Sequence, residues 1–176
     1  DASGNFVWAY GWGGTQSDEA FQLQVGSNGN IIVAGTYQGT MDANPGPGTF
    51  TLTSAGSYDS YVSQFAPDGI FISSTTLGGT GGDMLRQLEV DDSGNIYAGG
   101  SFSGSAQFGN HSLTSAGSSD QFLVKMNPTG SVQWARQVFG VDGSGSQAGL
   151  AVDASGSVYL ASSFTGEINF GPGTPT

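Results

Sequence analysis

The sequence predicts an all-β domain made of a repeated unit of about 60 residues. The segment LTSAGS at residues 52–57 returns at residues 113–118. The segment GNIIVAG at residues 29–35 returns as GNIYAGG at residues 94–100 and as GSVYLA at residues 156–161. Apolar and polar residues alternate around these segments with a period of two, which is typical of half-buried strands. Each repeat is therefore expected to be one supersecondary unit packed against its neighbours.

Each unit is expected to contain four short strands, A to D, separated by Gly-rich turns. Strands A and B are joined at residues 27–30, 92–95 and 154–157, where an Asn-Gly or Ser-Gly pair favours a hairpin because glycine accepts a positive φ. A longer Gly-containing connector links strand B to strand C. The predicted strands are A near residues 21–25, 88–90 and 150–152; B at 31–37, 96–102 and 158–164; C at 60–65 and 121–126; D at 70–77 and 132–139.

The first residues of the chain match the last strand of a unit. Residues 6–10 are expected to form a strand D, because Trp8 occupies the repeat position of Trp134. The predicted strand order is D-ABCD-ABCD-AB, about 2.8 units in a single domain. No linker divides the chain, and the units cover approximately residues 1–17 (partial), 18–79, 80–140 and 141–176 (partial).

The composition excludes several classes of partner. The formal net charge is −11, with three Lys and Arg residues against 14 Asp and Glu, so neither nucleic acid nor an anionic membrane surface is expected to bind. The chain has no cysteine, which excludes disulfides and thiolate metal sites. No apolar run reaches the roughly 18 residues of a membrane-spanning helix. Asp1 fits a processed or trimmed start, and an acidic surface suits solubility outside the cell.

Four motifs recur in a fixed order along the chain. They are a Ser-Gly-Asn-Ile-Tyr segment within residues 92–100, an Asp-x-Phe-x-x-Lys-x-Asn segment within residues 120–130, Trp-Ala at 134–135 and Gly-Gly-Thr at 78–80. With these motifs the chain resembles the bacterial SBBP repeat family, named for a seven-bladed β-propeller, over essentially its whole length. The resemblance implies a β-propeller-type repeat of four-stranded antiparallel blades in exported or cell-surface bacterial proteins. It implies no enzymatic activity.

Closed propellers have roughly four to eight blades, so about 2.8 blades leave open strand edges. Either the chain is a piece of a longer protein, or several copies assemble into a ring or a filament. Edge-strand hydrogen bonds would supply the affinity of such an assembly, and alternate apolar residues its register. The expected function is that of a non-enzymatic extracellular structural or adhesion protein that binds copies of itself. The residues expected to carry self-assembly are Phe6, Trp8, Tyr10, Val158, Leu160 and Phe164.

Aspartates at repeated positions are candidate cation ligands. Asp59 and Asp120 precede strand C. Asp18 and Asp83 follow a Gly-Gly-Thr turn, and the third unit has Gly145 at the same position. Aspartates in turns commonly accept backbone N–H bonds, so a structural role is favoured for these four.

Two other segments resemble calcium-binding loops more closely than these four aspartates do. Asp91 and Asp92 open a short Asp-Asp-Ser-Gly-Asn turn, and Asp42 lies in the connector between strands B and C. A calcium loop needs several oxygen ligands, and the distal glutamate of an EF-hand is missing here. A hairpin turn is therefore favoured, and apart from these Ca²⁺ candidates no cofactor is expected.

The first alternative function is that of a glycan- or ligand-binding propeller module. Trp12 supports it, because Leu77 and Val138 stand near the matching positions and a tryptophan there is a candidate contact for a sugar ring. Packing between units is nevertheless the favoured role of Trp12, since aromatic residues on propeller strands mostly fill the space between blades.

The second alternative is a fragment of a larger secreted hydrolase. Two carboxylates about 5–10 Å apart suffice for glycoside hydrolysis, yet nothing in the sequence selects such a pair. His111 is the single histidine and lies beside Gly and Asn without a Gly-x-Ser-x-Gly motif elsewhere. No catalytic residue is therefore assigned.

Overall fold

The computed structural model describes residues 2–138 and 145–164, and every regular element within them is a β-strand. In those two ranges there is no helix long and apolar enough to cross a membrane. The strands are β1 (Gly13–Gly14), β2 (Asp18–Val25), β3 (Ile31–Tyr37), β4 (Thr40–Asp42), β5 (Thr51–Thr53), β6 (Asp59–Phe65), β7 (Phe71–Gly79), β8 (Met84–Val90), β9 (Ile96–Phe102), β10 (Ser105–Phe108), β11 (His111–Thr114), β12 (Asp120–Met126), β13 (Val132–Val138), β14 (Gly145–Val152) and β15 (Val158–Phe164).

The two complete repeats form the same antiparallel sheet. Strands β2, β3, β6 and β7 are neighbours in the first unit, β8, β9, β12 and β13 in the second, and β14 pairs with β15 in the third. The register also repeats, since Ala34 pairs with Val62 in the first unit as the equivalent Gly99 pairs with Leu123 in the second. The predicted all-β class is confirmed by these sheets.

The connector between strands B and C contains a hairpin that was not predicted. In the first unit β4 pairs with β5 and with β1. In the second unit β10 pairs with β11 and also with β7 of the first unit. The first sheet is therefore six-stranded, in the order β11-β10-β7-β6-β3-β2, and it crosses from one unit to the next. Strands of three or four residues show too little alternation to be recognised in a sequence.

The predicted strand at residues 6–10 is not present as a strand. A strand is defined by hydrogen bonds to a neighbour, and in the described part of the chain this N-terminal segment is paired only further on, at Gly13–Gly14 with β4. Its Trp8 and Tyr10 rings lie beside the turn at Gly69, as described below.

The largest apolar core lies between the first and second units. Ile32 and Ala34 of β3 face Leu88 of β8 and Ile96 of β9 across it, and all four are at most 3% exposed. Phe122 of β12 joins the same core. Each unit therefore buries one face only because the next unit covers it.

Polar contacts fix the first two units along their A strands. The side-chain amides of Gln22 and Gln24 on β2 donate to the carbonyl oxygens of Arg86 and Leu88 on β8, at 2.8 and 3.1 Å. The Arg86 guanidinium also lies 4.9 Å from the ring centroid of Phe21. No sheet closes on itself within the described ranges. The architecture is thus an all-β repeat of antiparallel sheets packed one on the next.

Substitutions at Gly35 and Gly100 test how closely strands A and B approach each other. They occupy the same repeat position opposite a β-bulge of strand A. A Cβ at Gly35 would lie 1.8 Å from the carbonyl oxygen of Glu19, and one at Gly100 would lie 2.0 Å from that of Met84. Because the backbone must shift to relieve this overlap, we expect Gly35→Ala and Gly100→Ala each to lower the free energy of unfolding by about 2–3 kcal/mol in urea titrations.

Gly11→Ala is the control, since a Cβ there would meet nothing within 4 Å. It should change the free energy of unfolding by less than about 0.5 kcal/mol. A Gly100→Ala variant as stable as Gly11→Ala would contradict the bulge geometry.

Candidate interaction surface

Strand A of the first unit exposes apolar residues on one face, although the same face of strand A in the second unit is buried. Leu23 and Leu88 occupy the same position in strand A, yet Leu23 is 60% exposed and Leu88 is 2% exposed. Gln22 and Gln24 point towards the second unit. Because side chains alternate along a strand, Leu23 and the equally exposed Val25 point the opposite way. The first unit therefore presents an apolar face that no other unit covers in the described residues.

The N-terminal segment lies where a preceding unit would place its strand D. A Cβ at Gly69, in the turn between strands C and D, would lie 2.5 Å from the Tyr10 ring and 3.4 Å from the Trp8 ring. The matching turn of the second unit contacts β7 of the first, since the Thr75 hydroxyl donates to the carbonyl oxygen of Gly130 at 2.9 Å. The same turn thus meets the N-terminal segment in one unit and a true strand D in the other.

Three of the predicted self-assembly residues are exposed on this segment. Phe6, Trp8 and Tyr10 are 81%, 38% and 47% exposed, and the rings of Trp8 and Tyr10 are 5.3 Å apart. We call Phe6, Trp8, Tyr10, Leu23 and Val25 the leading face. Sequence reasoning missed the last two, because a strand pattern does not show whether a neighbour covers it.

The third unit exposes the other face of its sheet, the one that corresponds to the Ile32 side of the first unit. Val158 and Leu160 on β15 are half-buried, and the side chain of Phe164 lies outside the described residues. Tyr159 lies between the first two and is 59% exposed. It shares its repeat position with Ile32, which is 3% exposed in the core between the first two units. We call the exposed residues Ala151, Tyr159 and Ala161 the trailing face.

Asp91, a predicted calcium candidate, is engaged within its own turn. Its carboxylate accepts the N–H groups of Ser93 at 3.0 Å and Asn95 at 2.8 Å, and the hydroxyl of Tyr97 at 3.2 Å. Partial burial opposes ionisation, but these hydrogen bonds outweigh it and lower the pKa of Asp91. Asp92 beside it is exposed.

The third unit repeats this turn around Asp153. The hydroxyl of Ser155, at 2.6 Å, and the N–H of Ser157, at 2.9 Å, lower the pKa of Asp153 to about 2. The turns of the second and third units line a groove of about 340 Å³, into which Lys125 also reaches. The Lys125 ammonium lies 5.1 Å from the ring centroid of Tyr97.

Asp42 and Trp12 lie together beside β1, in a shallow groove. The N–H groups of Phe50 at 2.9 Å and Asn44 at 3.0 Å donate to Asp42 and lower its pKa. Trp12 is half-buried, with its ring 5.0 Å from that of Phe65. Much of the Trp12 side chain therefore packs against the apolar cluster around Tyr37 and Tyr61.

The four repeated aspartates each accept a backbone N–H from four residues away. Asp59, Asp83 and Asp120 are at most 3% exposed, so they are withheld from any large substrate. Asp18 accepts the N–H of Gly14 (2.6 Å), Asp83 that of Gly79 (2.7 Å), Asp59 that of Ala55 (2.9 Å) and Asp120 that of Ala116 (2.7 Å).

His111 is half-buried in β11, opposite Phe108 of β10. Among the described residues, no three His, Cys, Asp or Glu side chains come together in a group able to hold a metal ion. Six of the ten exposed large apolar side chains among the described residues belong to the two apolar faces.

No family model matches the chain, so its resemblance to SBBP repeats stays a prediction. Over 69 residues, 39% of the chain, it is 39% identical to the regulatory protein FlaEY of Caulobacter vibrioides. Over 188 residues, covering 92% of the chain, it is 24% identical to an uncharacterized WD repeat-containing protein of Acanthamoeba polyphaga mimivirus. The chain spans 7% and 14% of the lengths of these two relatives.

Substitutions of Asp91 and Asp92 distinguish a structural role in the turn from a role in calcium binding. We expect Asp91→Ala to lower the free energy of unfolding by about 1–2 kcal/mol, because two backbone N–H groups lose their acceptor. Asp92→Ala should change it by less than about 0.5 kcal/mol. Added CaCl₂ should leave the thermal unfolding midpoint of each of the three proteins unchanged, and a calcium-dependent rise confined to the wild type would show a calcium site instead.

Proposed function

We propose that this protein is a non-enzymatic structural or adhesion protein of the bacterial cell surface or extracellular space, and that it assembles with copies of itself. The observation that carries the proposal is the difference between equivalent residues, with Leu23 60% exposed and Leu88 2% exposed. In the part of the chain that the structure describes, this type of face is buried between units in one place and uncovered at Leu23. A second copy can cover it with the trailing face.

In this proposal the repeat units are blades of a β-propeller-type structure, about 2.8 of them in the chain. Four-stranded antiparallel units that pack face to face are the building pattern of propellers. The partial similarity to a WD repeat-containing protein supports this architecture, since WD repeats form propeller blades. The chain itself contains no Trp-Asp pair.

The repeat register indicates which faces meet. Ile32 and Ala34 pack on the Leu88 side of the second unit, and Tyr159 and Ala161 occupy their positions in the third unit. The trailing face of one copy therefore matches the leading face of another, around Leu23. Such a head-to-tail contact is heterologous, and it generates a ring when the rotation closes and a filament when it does not.

Unpaired backbone edges add to the proposed contact. Ala98 of β9 has strand partners on both sides, Leu88 and Val124. In the described residues β15 pairs with β14 alone, and no strand lies beside residues 6–10. Open edges of this kind accept further strands through main-chain hydrogen bonds.

A non-enzymatic role is supported by the burial of the repeated carboxylates and by the engagement of Asp91, Asp153 and Asp42 in their own turns. An extracellular location is supported by the net charge of −11, since an acidic surface suits solubility outside the cell.

Sedimentation velocity tests the assembly. We expect the wild type to show species larger than the 17.8 kDa chain, in proportions that rise with concentration. The double variant Leu23→Gln/Val25→Thr should sediment as a monomer, because the leading face loses its apolar core. Trp8→Ser/Tyr10→Thr, which installs the residues found at these positions in β7, should weaken association in the same direction.

Ile72→Gln is the matched control. Ile72 is 47% exposed but lies outside both faces, and the second unit carries Gln133 at this position. This variant should assemble as the wild type does. A folded wild type that stays monomeric at every concentration would refute the proposal, and equal loss of association in Ile72→Gln would show non-specific aggregation.

A further inference from the structure

A pair of buried carboxyl groups lies at the joint between the first and second units. Asp59 is the first residue of β6 and Asp83 directly precedes β8, and they are 1% and 0% exposed. Both reach the same backbone position, Gly78. A Cβ placed there would lie 2.8 Å from Asp59 Oδ1 and 2.9 Å from Asp83 Oδ2. The two carboxyl groups therefore face each other across a glycine that leaves room for both.

Each carboxyl group has one satisfied oxygen and one oxygen without a donor. Asp59 Oδ2 accepts the N–H of Ala55, and Asp83 Oδ2 accepts the N–H of Gly79. The Oδ1 atoms of both residues are buried and accept no hydrogen bond from the described residues. Two buried carboxylates in this arrangement repel each other when both are ionised, whereas one proton placed between them satisfies both.

We propose that Asp59 and Asp83 form a proton-binding site that holds one shared proton, and that this proton stabilises the joint between the first two repeat units. The protonated Asp83 carboxyl donates to Asp59, so one buried charge remains in place of two. This inference is independent of self-assembly, since it concerns a contact within one chain.

The electrostatics of the surrounding groups agree with this arrangement. Burial, opposed by the N–H of Gly79 and reinforced by the charge of Asp59, raises the pKa of Asp83 to about 6. Burial also raises the pKa of Asp59. Tyr37 of β3 faces the pair as well, and burial together with the Asp59 charge raises its pKa. The remaining groups that act on the pair are the backbone N–H groups of Ala55 and Ser103.

The second unit supplies a natural comparison. Asp120 has the repeat position of Asp59, but the third unit carries Gly145 where the second unit carries Asp83. Asp120 Oδ2 accepts a hydrogen bond from the side-chain amide of Gln137. Among the described residues, Asp120 thus meets an amide donor and no second carboxyl group, so no shared proton is needed there.

The sign of the pH dependence follows from the raised pKa. Between the ordinary value of 3.8 and about 6, the folded protein binds a proton at Asp83 that the unfolded chain has lost. The stabilisation is therefore complete below 3.8, falls as the pH rises through this window, and is lost above it. A shift of about two pH units corresponds to a loss of up to a hundredfold in the folding equilibrium constant.

Urea unfolding between about pH 4 and pH 8 tests the site in the intact chain. Asp83→Asn should remove this part of the pH dependence and be at least as stable as the wild type above pH 7, because its amide donates to Asp59 without a titrating proton. Asp120→Asn is the control and should keep the wild-type pH dependence. A wild-type slope that persists in Asp83→Asn would overturn the proposal.

Two further measurements do not depend on the variant folding. Carboxyl ¹³C NMR of the wild type should show Asp59 and Asp83 titrating together, with one of them well above its ordinary range. Independent titration of both near 3.8 would overturn the shared proton. Unfolding at pH 7 with added CaCl₂ should give an unchanged midpoint, and a calcium-dependent rise that Asp83→Asn abolishes would show a cation site in its place.

Discussion

The packing of one repeat unit on the next is the interaction on which the rest of the structure depends. A four-stranded antiparallel sheet has two faces, and in this chain both are apolar at alternate positions. Ile32 and Ala34 are buried because Leu88 and Ile96 cover them, and none of these residues is covered by its own sheet. Stability is therefore a property of neighbouring pairs of units, as is typical of repeat proteins. An uncovered face is the direct consequence wherever a neighbour is missing.

Close packing at the joints explains why so much of the sequence is glycine and small polar residues. At Gly35 and Gly100 the bulged strand A lies so close to strand B that a methyl group on either glycine would overlap a carbonyl oxygen of strand A. At Gly78 the absence of a side chain leaves space for the carboxyl groups of Asp59 and Asp83. Side-chain amides and hydroxyls then satisfy the backbone groups that remain between the sheets, as Gln22 does for Arg86.

The repeated sequence predicted most of the strands, because alternation and Asn-Gly or Ser-Gly turns are local signals. It did not predict the hairpins β4–β5 and β10–β11, whose strands are short and whose partner β1 or β7 comes from elsewhere in the chain. It also assigned a strand to residues 6–10, which pair with no strand in the described part of the chain. Of the proposed interaction surface it predicted Phe6, Trp8 and Tyr10 but not Leu23, Val25 or Tyr159.

The sequence by itself determined the all-β class, the length of the repeat and the turns, since these follow from periodicity and from the conformations that individual residues prefer. Only the tertiary structure decided which of two identical positions is buried. Leu23 and Leu88 have the same local pattern, but among the described residues Leu88 is covered by a neighbouring unit and Leu23 is not. It likewise decided that Asp59 meets a second carboxyl group while Asp120 meets an amide. Burial and proximity arise between units, so they are properties of the arrangement of repeats and not of any one repeat.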